Sequence, residues 1–142
     1  MLQRLILIGR GLGGMKAMIK EGLFGLLAVF LITVFEFLVT LPLGAPTFEF
    51  GSEEHALFLN YEFLLTAIPA LFVTYFLAKA RKTQSIPEAL RRSIVWTLII
   101  FLNYFILGIG NDILGIILGT AGLYVLLAFA FAGPILYVKR KA

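Results

Sequence analysis

Long apolar runs broken by short polar stretches organise this chain. They lack both the strict alternation of a half-buried strand and the polar face of a soluble amphipathic helix. Four runs stand out, at residues 22–43, 56–78, 93–110 and 113–138. An α-helix rises about 1.5 Å per residue, so about 20 apolar residues cross the roughly 30 Å hydrocarbon core of a bilayer. The run 93–110 is near that minimum, and 113–138 is long enough to tilt, or to kink near its glycines. A transmembrane barrel would show alternating segments of ~10 residues instead. The pattern predicts an all-α integral membrane protein with four transmembrane helices in an up-down bundle. Residues 22–142 form the one transmembrane domain, preceded by a short basic membrane-surface segment, 1–21.

The breaks between runs carry their own signals. Pro42 and Pro46 stop the first helix, because proline lacks the N–H that a helix interior needs. Ser85 is placed to cap the third helix, with Pro87 and Glu88 in its first turn. Gly110 and Asn111 make a tight turn and Asp112 is placed to cap the fourth helix. The third and fourth helices are therefore expected to pack as an antiparallel hairpin. Between the first two spans, Glu49, Glu53 and Glu54 make an acidic loop in which Phe48 and Phe50 can lie back on the membrane interface.

Charge then orients the spans. All 12 Lys and Arg lie before the first run, between the second and third, or after the fourth. Glu49, Glu53, Glu54 and Asp112 occupy the opposite side. By the positive-inside rule both termini face the cytoplasm, in what reads as a prokaryotic plasma (inner) membrane. The formal charge of +4 thus reflects topology, and no folded soluble surface is left for a nucleic acid. Arg4, Arg10, Lys16 and Lys20 make the segment 1–21 a candidate interfacial helix on anionic lipid headgroups. Its Gly9, Gly11 and Gly14 fit a GxGxxG spacing, but that motif needs a βαβ unit, and here a membrane span follows. The apolar run 5–8 is too short for the core of a signal peptide.

Composition narrows the chemistry. The 142 residues are 61% hydrophobic and 14% charged, with no Cys and one His; soluble domains are about half apolar and about a quarter charged. There is no thiolate nucleophile, disulfide framework, Cys-based metal site or multi-His centre, so the sequence calls for no cofactor and no metal.

Candidate chemistry lies inside the spans, where a charged side chain costs about 2.5–3.5 kcal/mol on insertion scales. Glu36 lies roughly 10 Å below the outer boundary of the first run, Glu62 roughly 9 Å below that of the second, and Asn103 roughly 10 Å below that of the third. Three polar groups from three helices thus share one level in the outer half. Thr33, Glu36 and Thr40 follow one stripe of the first helix, as do His55, Glu62, Thr66 and Pro69 on the second. Trp96 and Asn103 share a face of the third. Tyr61 and Tyr104 lie at the same depth and can offer a hydroxyl. Carboxylates that meet in hydrocarbon share a proton rather than both ionise. The candidate ligand or ion pocket is therefore Glu36, Glu62, Asn103, Thr40, Thr66 and Tyr104; the same groups can equally join helices with no ligand. His55, at the interface, reads as solvated, and Asn60 points away from Glu62. Gly115, Gly119 and Gly122 form a small-residue stripe for helix packing, inside the bundle or between copies.

Three functions follow. The leading one is a partner-binding or accessory membrane subunit without catalytic machinery, in a homo-oligomer or larger membrane complex. The alternative is a homo-oligomeric proton- or cation-linked transporter or channel using the Glu36/Glu62 pocket. The third is an enzyme acting on a lipid or quinone, with one carboxylate as general acid or base.

Overall fold

The computed structural model describes the backbone of residues 2–141 and the side chains of residues 14–141. Among the described residues all regular structure is helical: α1 (Leu2–Thr40), a 3₁₀ turn (Leu41–Leu43), α2 (Glu53–Ala80), α3 (Ile86–Gly110), α4 (Leu114–Gly119) and α5 (Ala121–Lys141). Four segments are long and apolar enough to cross a membrane, namely Gly14–Leu43, α2, α3 and α5. The chain is a small membrane protein by that criterion.

α1 is one unbroken helix of 39 residues. Residues 2–21 therefore continue as helix into the first span. The readings placed on the side chains of Arg4 and Arg10 and on glycines 9 and 11 lie outside the described side chains. α1 ends where Pro42 enters the 3₁₀ turn, and Gly44 follows at φ 76°, a left-handed conformation that glycine adopts freely. α2 starts a little earlier than the hydropathy suggests, because Ser52 caps it: the Ser52 hydroxyl accepts from the His55 N–H at 3.2 Å. Glu53 and Glu54 then sit in the first turn, where the helix dipole favours acids. α3 opens as its sequence signal indicates. Ser85 Oγ accepts from Glu88 N–H at 3.4 Å, and Glu88 Oε2 accepts from Gln84 N–H at 3.0 Å.

The fourth apolar run departs from expectation. It is two helices, since Thr120 is extended (φ −84°, ψ 127°) between α4 and α5. Nor does Asp112 cap α4: it lies at φ 57° in the closing turn of α3. The Ile113 N–H reaches back to the Gly108 carbonyl at 2.9 Å, and Asn111 Nδ2 donates to the Leu107 carbonyl at 2.8 Å. Asn111 and Asp112 are thus spent on terminating α3, by the left-handed closure common at helix ends.

α1 packs on α2 and α3, and α5 packs on the same two helices. The third helix and the fourth run do pack on each other, as expected of a tight turn, but the more extensive partner of α5 is α2. Lipid supplies no hydrophobic drive between helices, so close backbone approach decides the pairing. A Cβ on Gly133 would lie 2.0 Å from Thr74 Oγ1 and 2.7 Å from the Leu71 carbonyl oxygen, and one on Gly122 would lie 2.5 Å from the Asn60 carbonyl oxygen. The break at Thr120 also leaves first-turn N–H groups of α5 without helical partners, and Asn60 Oδ1 accepts the Gly122 N–H at 2.7 Å. Gly115 and Gly119, by contrast, have no atom within 4 Å of where a Cβ would stand. Of the small-residue stripe, Gly122 alone meets a neighbouring helix in this way, and Gly133 is the seam glycine that the spacing did not single out.

Side-chain bonds tie the basic stretches together. Lys141 Nζ donates to Gln84 Oε1 at 2.8 Å, and Arg81 and Arg92 both reach Glu21. The start of the Gly14–Leu43 segment, the α2–α3 link and the end of α5 thus share one end of the molecule, the basic end. The opposite, acidic end carries Glu49, Glu53, Glu54 and Asp112.

Candidate functional site

Five of the acidic residues are surface or cap groups, and three lie within the helical layer: Glu21, Glu36 and Glu62. Their surroundings differ in kind.

Glu36, on α1, accepts a short hydrogen bond from the Tyr104 hydroxyl of α3. Tyr104 is buried, and its ring meets Phe63 of α2 edge-on with centroids 5.1 Å apart. Three helices therefore fix this phenol against the carboxyl group. Glu62, on α2, is half-buried and makes no side-chain hydrogen bond or ion pair among the described residues. No hydrogen bond joins it to Glu36, which lies one helical turn before the Thr40 that bonds back to it and lines the same crevice as Glu62. Glu62 lines a crevice of about 520 Å³ at the acidic end, with Phe37, Thr40, Leu41, Pro46 and Phe58. A second lobe of about 410 Å³ adjoins it under the 44–48 loop, sharing Gly44, Ala45, Pro46 and Phe58 and adding Tyr61 and Leu65.

The other candidates are placed differently. Thr40 Oγ1 donates to the Glu36 and Phe37 carbonyls, both at 3.0 Å, and Thr66 Oγ1 donates to the Glu62 carbonyl at 2.7 Å. Both hydroxyls are spent on their own helix, as membrane threonines commonly are. Asn103 reaches the right level on the wrong side. It lines an apolar groove between α1 and α3 with Gly22, Leu26, Val29, Ile99 and Ile106, and has no side-chain partner among the described residues. Tyr61 is 62% exposed and meets neither carboxylate. His55 also needs correcting: it is 5% exposed rather than solvated. The loop folds back so that Phe48 and Phe50 cover the imidazole, with centroids 4.8 and 4.7 Å away, and the Gly51 N–H donates to its Nδ1 at 3.0 Å.

At the basic end lies a network that the sequence reading missed. Glu21 is 1% exposed, and its Oε1 accepts from Arg81 Nη2 and Arg92 Nε, each at 2.9 Å. Arg92, itself 4% exposed, also donates to Thr83 Oγ1 and pairs with Glu88 at 2.8 Å. Trp96 Nε1 donates to the Glu21 carbonyl at 3.1 Å, and the Arg81 guanidinium lies 5.1 Å above the Phe24 ring. Two guanidinium groups face two carboxylates, so the cluster is charge-balanced and clamps α1, α2 and α3 together. One signal for it existed. Glu21 is an acid set among basic residues at the edge of a span, a position that calls for a named partner.

Chemically, the acidic end offers what the basic end does not: carboxyl groups at membrane depth with no lysine or arginine bonded to them. Such groups can hold a proton or attract a cation. Among the described residues no three His, Cys, Asp or Glu are grouped as metal ligands. No family model, no curated protein and no solved structure matches this chain.

Proposed function

We propose that this protein is a non-catalytic membrane protein that takes a proton or a small cation into the Glu36/Glu62 site from the side its acidic loops face, as a proton- or cation-linked transporter or channel subunit. The basic end faces the cytoplasm in this reading, following the positive-inside rule. The observation that carries it is the contrast in partners. Glu36 is bonded to a phenol and Glu62 lines an open crevice, whereas Glu21 is neutralised by two arginines. The same contrast argues that one protomer is not a complete conduit. Between the acidic site and the basic end lie the hydroxyl side chains of Thr74, Tyr75, Ser93 and Thr97, with no carboxylate or imidazole among them. The Thr74 and Ser93 hydroxyls are also engaged by backbone carbonyls. Passage therefore belongs to an oligomer.

Reconstituted liposomes test this reading. A pH or cation gradient should dissipate through the protein, and Glu36→Gln and Glu62→Gln should each reduce the flux. Wild-type flux in both variants would remove the assignment.

A partner-binding role is favoured by a different observation, the Asn103 amide in the α1–α3 groove. An amide in hydrocarbon gains about 0.6–2 kcal/mol from a hydrogen bond across helices. Because the chain has no Cys, single cysteines at Leu102 and Ile106 can report contacts at this groove by cross-linking in native membranes. Cross-linking that Asn103→Leu abolishes supports a helix docked there; an unchanged pattern rules it out.

A further inference from the structure

The two lobes under the 44–48 loop share Gly44, Ala45, Pro46 and Phe58 as common walls, with Glu62 in one lobe and Phe48 and Tyr61 in the other, and together they make a space whose wall chemistry is specific. Phe37 comes from α1, Phe48 from the loop, and Phe58 and Tyr61 from α2, so four aromatic rings line it. Leu41, Leu43 and Leu65 add aliphatic surface. One carboxyl side chain, Glu62, is found among these lining residues. It lies roughly 13 Å along α2 from the helix's first residue, Glu53.

Each feature restricts the occupant. Aromatic faces attract cations and repel anions. A carboxylate without a bonded cation does the same, and an anion is therefore excluded twice. A hydrated metal ion or a primary amine can meet Glu62 only while keeping its own water shell, because the rings and leucines that make up the rest of the space cannot replace its oxygen partners. A zwitterionic lipid keeps its ammonium at the headgroup level, above the depth of Glu62. The surface that remains complementary is that of a cation whose charge is buried in its own apolar substituents, such as a quaternary ammonium or phosphonium with aryl or alkyl arms.

We propose that the crevice beneath the 44–48 loop is a binding site for lipophilic cations, with Glu62 as counter-ion and Phe37, Phe48, Phe58 and Tyr61 as its cation-facing walls. This rests on the reading above that the Glu36/Glu62 site is cation-binding, and it assigns the site's ligand class. When Glu62 is protonated, the incoming cation displaces the proton to water, so one charge replaces another and binding weakens as the pH falls.

Tetraphenylphosphonium is the probe, with triphenylphosphine oxide as its neutral counterpart, measured by equilibrium dialysis against the full-length protein in mild detergent. Saturable tetraphenylphosphonium binding is expected, weaker in Glu62→Gln by about tenfold or more. Glu49→Gln, which alters an exposed loop acid outside the crevice, should bind as wild type. Triphenylphosphine oxide should show no comparable saturation. Equal binding by wild type and a folded Glu62→Gln, equal binding of the neutral compound, or no saturable binding to the wild type each overturns the proposal. Should Glu62→Gln fail to fold, the pH series on the wild type decides, because affinity that does not fall on acidification has the same consequence. Liposome flux keeps the two readings apart. Flux that depends on Glu62 without phosphonium binding leaves the proton or small-cation reading standing and removes this one, and the converse result removes transport while keeping the site.

Discussion

Both ends of this molecule hold a carboxylate within the helical layer, and they solve the problem in opposite ways. At the basic end Glu21 is enclosed by Arg81, Arg92 and the Trp96 indole. At the acidic end Glu36 has one phenol, and Glu62 faces a crevice lined mostly by apolar side chains. A carboxylate that folding has already neutralised is committed to structure. A carboxylate left with a neutral partner, or none, keeps its capacity for a proton or a cation. The difference in partners, rather than depth, separates the structural acid from the candidate functional ones.

Removing one arginine gives the largest expected effect. Arg92→Met leaves Glu21 buried with Arg81 alone and removes one of the partners of Thr83 and of Glu88. Breaking a buried pair from one side costs about 3–5 kcal/mol, and denaturant titration in mixed micelles should read a loss of that size. The comparison sharpens when Glu21 and both of its arginines go together, leaving the more exposed Glu88 to solvent. Replacing a complete buried ionic group with apolar residues is often neutral or stabilising, so Glu21→Leu/Arg81→Met/Arg92→Met should recover most of the loss. A triple variant as unstable as the single one would mean that these charges do more than compensate one another.

The phenol at the other end ranks second. Tyr104→Phe keeps the ring against Phe63 and removes the hydroxyl, leaving Glu36 without its donor. The expected loss is about 0.6–2 kcal/mol by the same titration, with a change in flux that Arg92→Met does not produce in the protein that remains folded. A loss as large as that of Arg92→Met would make the Glu36–Tyr104 pair a structural clamp and erase the distinction between the two ends.

How far these features could be read from the chain follows from how local each one is. The four spans are a matter of apolar length, and the start of α3 is a matter of Ser85, Pro87 and Glu88, so both were legible. Matching depths pointed to Tyr104 beside Glu36, because rise per residue is fixed. Azimuth is less secure, and Asn103 turned outward into the α1–α3 groove while Thr40 and Thr66 bonded back to their own helices. The break at Thr120 depends on Asn60 of another helix to receive the Gly122 N–H, which no local pattern encodes. The Glu21 cluster requires α1, α2 and α3 to meet. Reading every lysine and arginine as a mark of orientation concealed that Arg92, buried, and Arg81, half-buried, are partners of Glu21.

The smallest effect on stability is expected at Glu62. Glu62→Gln keeps the shape of the side chain, removes a charge that no described residue is bonded to, and leaves Thr66 donating to the same backbone carbonyl. Uncharging a group at membrane depth relieves a cost rather than creating one. The variant should therefore match or slightly exceed wild-type stability, by about 1 kcal/mol at most, even as it loses flux. This pairing of unchanged stability with lost function is the signature of a site held at some cost to the fold. A clear destabilisation would instead show that Glu62 has a structural partner in the membrane, and would move it to the same class as Glu21.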